Sequence, residues 1–222
     1  KNFRLIGMGG SILGTEAIYQ FLSHKIKKKF IFVNNLNPKL NNYKKKLKAT
    51  NIIISKSGNT LETIVNSNVL INSKNIFITE NKNNYLRRLA NNLKSEVIEH
   101  KNYIGGRYSV LSEVGMLPAE IMGLNEKKFK RFNYLIKNKN FLNELIKNVS
   151  AILKFVKEKK LNSIILNYDD RSENIFKWYQ QLVAESLGKK SKGILPVLSN
   201  MPCDNHSLLQ LYLDGPKNNF FT

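Results

Sequence analysis

Between a run of three isoleucines and a helix-like pattern stand six residues, Ser55-Lys56-Ser57-Gly58-Asn59-Thr60. Three hydroxyls and the free N–H groups of a following helix are short donors, Gly58 permits close backbone approach, and Lys56 adds charge. That set suits an oxyanion, most naturally a phosphate. The same residues also make a plain capped β–α turn, because Ser, Thr, Asn and Gly are all capping types. Gly7-Met8-Gly9-Gly10-Ser11 forms a second glycine-rich turn. It departs from the dinucleotide fingerprint, since Ile12 follows and Asn34 and Asn35 stand where an acid is needed. No nicotinamide cofactor is expected. Arg107 follows Gly105 and Gly106, either as an oxyanion clamp or as a surface arginine after a turn.

Two acid–base candidates lie further on. Glu185 shares a helical stripe with Ile175, Trp178 and Leu182. Burial there would raise its pKa toward the range a general base uses, whereas an edge position would pair it with Lys189. His206 sits at an expected helix start beside Asp204, a candidate N-cap. His24 and His100 read as structural or exposed. No spacing of His, Cys, Asp or Glu resembles a metal site, so no metal is expected.

The elements that must position these residues alternate. Strands are expected at residues 3–6, 29–35, 51–55, 75–80 and 96–100. Helices fall between them, at about 11–24, 60–71 and 84–93, with a polar helix or loop over 37–49. Short, nearly continuous apolar strands separated by helices make a doubly wound α/β fold with a parallel sheet. From 126 to about 159 the chain is helical and rich in lysine, with Phe129, Phe132, Leu135, Leu142, Leu145 and Ile146 spaced for one face. A strand near 163–168 and a helix ending at Gly188 restart the alternation. The expected organisation is a first α/β domain over 1–125, a helical connector over 126–159, and an incomplete second α/β domain over 160–222. Both ends read as cut, which makes the chain the central part of a longer protein.

Composition is that of an ordinary globular protein: 222 residues, 42% hydrophobic, 23% charged. No run approaches a membrane span, and the single cysteine, Cys203, fits a reducing cytoplasmic setting. The net charge of +20 raises nucleic acid as a partner. The lysines are instead dispersed among asparagines and isoleucines, as a coding bias leaves them, and no membrane or nucleic-acid partner is expected.

Taken together, "IGMGGSILG", "SKSGNTLET", "GGRYSVLSEVGMLP", "QQLVAESLGK" and "NHSLLQLYLDGP" resemble the bacterial type of the glucose-6-phosphate isomerase (phosphoglucose isomerase) family, over nearly the whole chain. The resemblance implies two sugar isomerase (SIS) domains, each a three-layer αβα sandwich. It also implies aldose–ketose isomerisation of glucose 6-phosphate and fructose 6-phosphate through an enediolate, without a cofactor. By the same resemblance Ser55, Ser57 and Thr60, with Lys56 inside the loop, hold the sugar phosphate, and Gly10 and Ser11 line the site. Arg107 stabilises the enediolate, Glu185 moves the proton between C2 and C1, and His206 helps open the ring, reaching in from the partner of a homodimer. Family members also use a lysine and usually a glutamine from a later segment, beyond Thr222. An isomerase for another sugar phosphate, such as mannose 6-phosphate, and a non-catalytic sugar-phosphate-sensing SIS module stay open as alternatives.

Overall fold

Isoleucine and phenylalanine dominate the inner strands of the first unit, which are buried on both faces. The computed structural model describes residues 2–40 and 48–222; most of the expected helix or loop over 37–49 lies outside them. The chain divides into two units, Lys1–Asn125 and Glu126–Thr222.

In the first unit five parallel strands, β1 (Asn2–Ile6), β2 (Lys29–Val33), β3 (Ala49–Ile54), β4 (Asn75–Thr79) and β5 (Glu96–Glu99), pair in the order β2-β1-β3-β4-β5. Helices α1 (Leu13–Phe21), α2 (Leu61–Leu70), α3 (Tyr85–Asn92) and α4 (Glu113–Met122) cover the sheet. Successive side chains on a strand point to opposite faces. Leu5, Ile52, Ile54 and Ile78 accordingly meet Val114 and Met122 on one face, while Ile6, Ile53 and Phe77 meet Leu70, Leu86 and Ala90 on the other. Each fully buried Ile or Leu side chain contributes roughly 1.5–3 kcal/mol of burial free energy. Polarity can therefore concentrate at the strand ends without unmaking the sheet.

The order β2-β1-β3 reverses direction between β1 and β3. In parallel α/β sheets ligands bind in the crevice outside the strands' carboxyl ends at such a switch point. The two glycine- and hydroxyl-rich turns of this sequence leave β1 and β3 at that edge. The helix expected from Ser11 starts later: Gly9–Ser11 forms a 3-10 turn and α1 begins at Leu13.

The second unit begins with α5 (Glu126–Phe129), a 3-10 segment over Lys130–Lys137, and the 19-residue α6 (Lys139–Lys157). It continues with β6 (Asn162–Asn167), α7 (Glu173–Leu187), β7 (Leu195–Asn200), α8 (Leu209–Asp214) and β8 (Asn219–Phe221). The strands make a parallel sheet in the order β7-β6-β8. Of the stripe read from sequence, Phe132 (58%), Leu145 (48%) and Ile146 (63%) are exposed. Gly188 ends α7 with its N–H on the Ala184 carbonyl at 2.8 Å, but at φ −71°, so no left-handed cap closes the helix.

Candidate functional site

The turn after β3 is built to present donors. Ser55 is buried, and its Oγ lies 2.9 Å from Thr60 Oγ1 and accepts from the Gly58 N–H at 3.2 Å. Ser57 Oγ accepts from the Asn59 N–H at 3.2 Å. Thr60 is the N-cap of α2, yet its side chain takes no N–H of the helix. Among the described residues, the backbone N–H groups of Lys56, Ser57, Leu61 and Glu62 find no acceptor. Clustered N–H groups of this kind, at a helix start, are where anions bind.

Gly58 fixes the turn's shape. Its φ is +65°, in the left-handed region, and an added Cβ would fall 2.0 Å from Asn84 Oδ1. Asn84 is itself buried and caps α3, with Oδ1 accepting from the Arg87 N–H at 2.9 Å and Nδ2 donating to Thr79 Oγ1 at 3.1 Å. Asn59 completes the link, its Oδ1 accepting from the Tyr85 N–H at 3.0 Å. Gly58→Ala is expected to lose at least about 2 kcal/mol, combining left-handed strain with a disturbed cap. Urea unfolding of the full chain checks this, together with a weaker affinity for inorganic phosphate.

The turns after β1 and before α4 form one structure. A Cβ on Gly10 would stand 2.5 Å from backbone atoms of Gly106 and Arg107, so the two segments touch backbone to backbone. Ser109 Oγ bridges them, 2.6 Å from the Gly106 carbonyl and 3.4 Å from that of Gly10. Arg107 is half-buried, with its guanidinium carbon 4.7 Å from the centre of the Tyr108 ring. Gly7 ties this assembly to the β3 side, since a Cβ there would lie 3.1 Å from the Ile54 carbonyl oxygen. Gly10 and the Gly106–Arg107 backbone thus meet at the carboxyl end of β1, on the β1/β3 side of the sheet.

Lys56 directs its ammonium to the Asn102 carbonyl at 2.8 Å and to Glu80 Oε1 at 3.5 Å. Its charge is engaged by those groups, which departs from a lysine held ready for an anion. His100 is buried, with Nδ1 3.0 Å from the Lys101 carbonyl.

The second unit carries the acid–base candidates. Glu185 is exposed, so of the two positions its stripe allows, buried or at the edge, the structure shows the edge. Ile175, Trp178 and Leu182 are half-buried, but Ala184, Glu185 and Leu187 of the last turn are all exposed. Angular position on a helix sets direction and not depth. Gln181, one turn earlier, donates its amide to Glu185 Oε2 at 3.2 Å. The sequence reading passed over Gln181, although the i, i+4 spacing signals the pair.

His206 is exposed and ends the 3-10 turn Cys203–His206. Asp204 caps no helix. Its Oδ2 turns back to accept from the Asn200 N–H at 2.7 Å and Ser199 Oγ at 2.9 Å, and its Oδ1 accepts from Ser207 Oγ at 3.2 Å. The Ser199 hydrogen bond, then the Asn200 N–H and Ser207, hold the Asp204 carboxyl below the usual carboxylate range. A depressed native pKa adds stability that is present above the unfolded value, about 3.9, and is lost as pH falls through the native value. The His206 turn is therefore expected to loosen selectively below about pH 4. Faster hydrogen exchange over residues 199–208 in acid, absent in Asp204→Asn, is the check.

Among the described residues no three His, Cys, Asp or Glu side chains are grouped to hold a metal ion. No helix among them is long and apolar enough to cross a membrane.

Residues 1–194 match the model of a family described as phosphoglucose isomerase. A curated glucose-6-phosphate isomerase from Methanocaldococcus jannaschii is 36% identical over 240 residues, covering 100% of this chain and 59% of that protein. The chain thus spans about three fifths of that relative's length. The crystal structure of a hypothetical protein from Thermus thermophilus superposes with a TM-score of 0.83 at 24% identity, over 99% of this chain and 58% of the other. A glucose-6-phosphate isomerase from Chlamydia trachomatis gives 0.73 at 21% identity, over 97% and 48%.

Proposed function

Because this chain belongs to the phosphoglucose isomerase family, we propose that the protein it spans interconverts glucose 6-phosphate and fructose 6-phosphate through an enediolate. The observation that carries this reading is the joint placement of the Ser55–Thr60 turn, the Gly10–Ser11 turn and Arg107 at one sheet edge. An aldose–ketose isomerase needs an anion grip and a cation beside the developing enediolate oxygen, and these loops can supply both. In the proposed division of labour Ser55, Ser57 and Thr60, with the Lys56 backbone N–H, hold the phosphate and Gly10 and Ser11 line the site. Arg107 stabilises the enediolate oxygen. Glu185 takes the proton from C2 and returns it to C1, or the reverse. His206 assists ring opening, within a homodimer in the cytoplasm. We also propose a first SIS domain over 1–125, a connector over 126–159 and part of a second over 160–222.

Proton transfer between adjacent carbons leaves the oxidation state of the whole sugar unchanged, so the proposed chemistry calls for no external electron acceptor. The exposed Glu185 keeps a carboxylate accessible, and the Gln181 amide on one of its oxygens limits rotation. A coupled assay on the full-length gene product, with fructose 6-phosphate and separately mannose 6-phosphate, tests the reading. Turnover of fructose 6-phosphate supports it; turnover of neither, or of mannose 6-phosphate alone, refutes it.

A further inference from the structure

A buried ionic knot lies beside the turn assigned above to the phosphate. Glu80 follows β4 and is 8% exposed, with Oε2 3.0 Å from Lys82 Nζ and Oε1 3.5 Å from Lys56 Nζ. A carboxylate this buried is costly unless it is paired. Lys82 foremost, and then Lys56, hold its pKa below the usual range, so it is ionised at neutral pH.

Lys56 is fixed at both ends. Its backbone carbonyl accepts from the Glu80 N–H at 3.1 Å and from Thr79 Oγ1 at 3.3 Å. Its ammonium donates to the Asn102 carbonyl at 2.8 Å. Asn102 belongs to the loop that leaves β5 and runs into Gly105-Gly106-Arg107. That loop has a second anchor, where the Lys101 N–H donates to Glu113 Oε1 at 3.3 Å at the start of α4. Lys56 therefore spans from the β3 turn to the loop that carries the arginine, and Glu80 grips its head on the way.

A lysine serving as an anion ligand works as a mobile point charge. This one is paired with a carboxylate that it shares with Lys82, and pinned to a carbonyl. We propose that Lys56 and Glu80 are positioning residues: their ion pair and the Lys56–Asn102 bond form a strut that sets the spacing between the phosphate turn and the loop that aims Arg107. The lysine side chain is then not itself a phosphate ligand. The role in catalysis rests on the isomerase reading; the strut does not.

The test uses the full-length protein with Lys56→Met, Glu80→Gln, the double variant, and Lys56→Arg. Each single change is expected to lower kcat roughly 10–100-fold, the scale of a misplaced catalytic group, while KM and the Kd for inorganic phosphate move less than about twofold. The double variant should be no worse than either single one, because both break one strut. Lys56→Arg should recover part of the loss. Hydrogen exchange over residues 101–108 should quicken in Lys56→Met and Glu80→Gln alike. A Kd for phosphate that weakens at least about tenfold in Lys56→Met and not in Glu80→Gln would make the lysine a direct ligand and overturn the proposal. Unchanged exchange over 101–108 would overturn it as well. If Lys56→Met does not fold, Glu80→Gln carries the same readouts. If the wild type fails to turn over fructose 6-phosphate, the isomerase reading falls, and hydrogen exchange still decides whether the strut exists.

Discussion

Glu185→Gln, made in the full-length protein, is expected to abolish exchange of the C2 proton with solvent and to lower kcat by about 10³–10⁴-fold, at the upper end of what a positioned general base contributes. The replacement is nearly isosteric and keeps a hydrogen-bonding oxygen for the Gln181 amide, so the last turn of α7 should hold its shape. Glu185 is exposed, which keeps the stability cost of the change small. Phosphate binding should be untouched, because the Ser55–Thr60 turn draws on the first unit alone. The informative measurement is deuterium wash-in at C2 of glucose 6-phosphate, and at C1 of fructose 6-phosphate, followed by NMR, with inorganic phosphate affinity measured alongside. Exchange at the wild-type rate would remove Glu185 from the mechanism. Loss of exchange together with loss of phosphate affinity would point to a damaged fold.

The second large effect is expected from a single methyl group. Gly10→Ala places a Cβ 2.5 Å from the backbone of Gly106 and Arg107, and backbone cannot rotate aside as a side chain can. One segment must retreat, and displacement of a catalytic cation by about 1 Å is enough to cost on the order of 10²-fold in rate. Because the change moves Arg107 without removing it, the loss should appear in kcat more than in KM. Arg107→Ala should cost about 10²–10³-fold if the guanidinium stabilises the developing oxyanion. In a double-mutant cycle the two changes should be far from additive, since both act through the same group. Full additivity would separate the glycine contact from Arg107's role.

Much of the first unit can be read from its residues. Three consecutive isoleucines, Ile52, Ile53 and Ile54, are all fully buried because their strand has a helix layer on each face. Such a run is the mark of a parallel, two-sided sheet. The hydroxyl and glycine turns announce themselves by type. What holds them does not. Gly10 meets Arg107 across nearly a hundred residues, and only strand order and loop path bring them together. Glu80, Asn84 and Asn102 looked like ordinary polar residues, although Asn84 carried a helix-cap signal just ahead of Tyr85. Helical periodicity leaves Glu185 open between burial and an edge position, because it gives a direction without saying where the supporting layer ends. Asp204 misled because its carboxylate takes the upstream Asn200 N–H and Ser199 hydroxyl and the downstream Ser207 hydroxyl, and no helix N–H.

The anion-gripping turn and its buttresses, Gly58, Asn84 and Asn59, are all drawn from one unit, whereas Glu185 and His206 belong to the other. Under the proposed assignment, the phosphate grip and the groups that move protons are thus encoded in separable stretches of chain. Such a division lets a lineage keep its grip on phosphorylated metabolites while exchanging the chemistry performed on them, or discarding chemistry and retaining recognition. It also tells an engineer where to cut: changes to the proton-moving groups belong downstream of residue 125, and changes of anchor group or of the Arg107 clamp belong upstream.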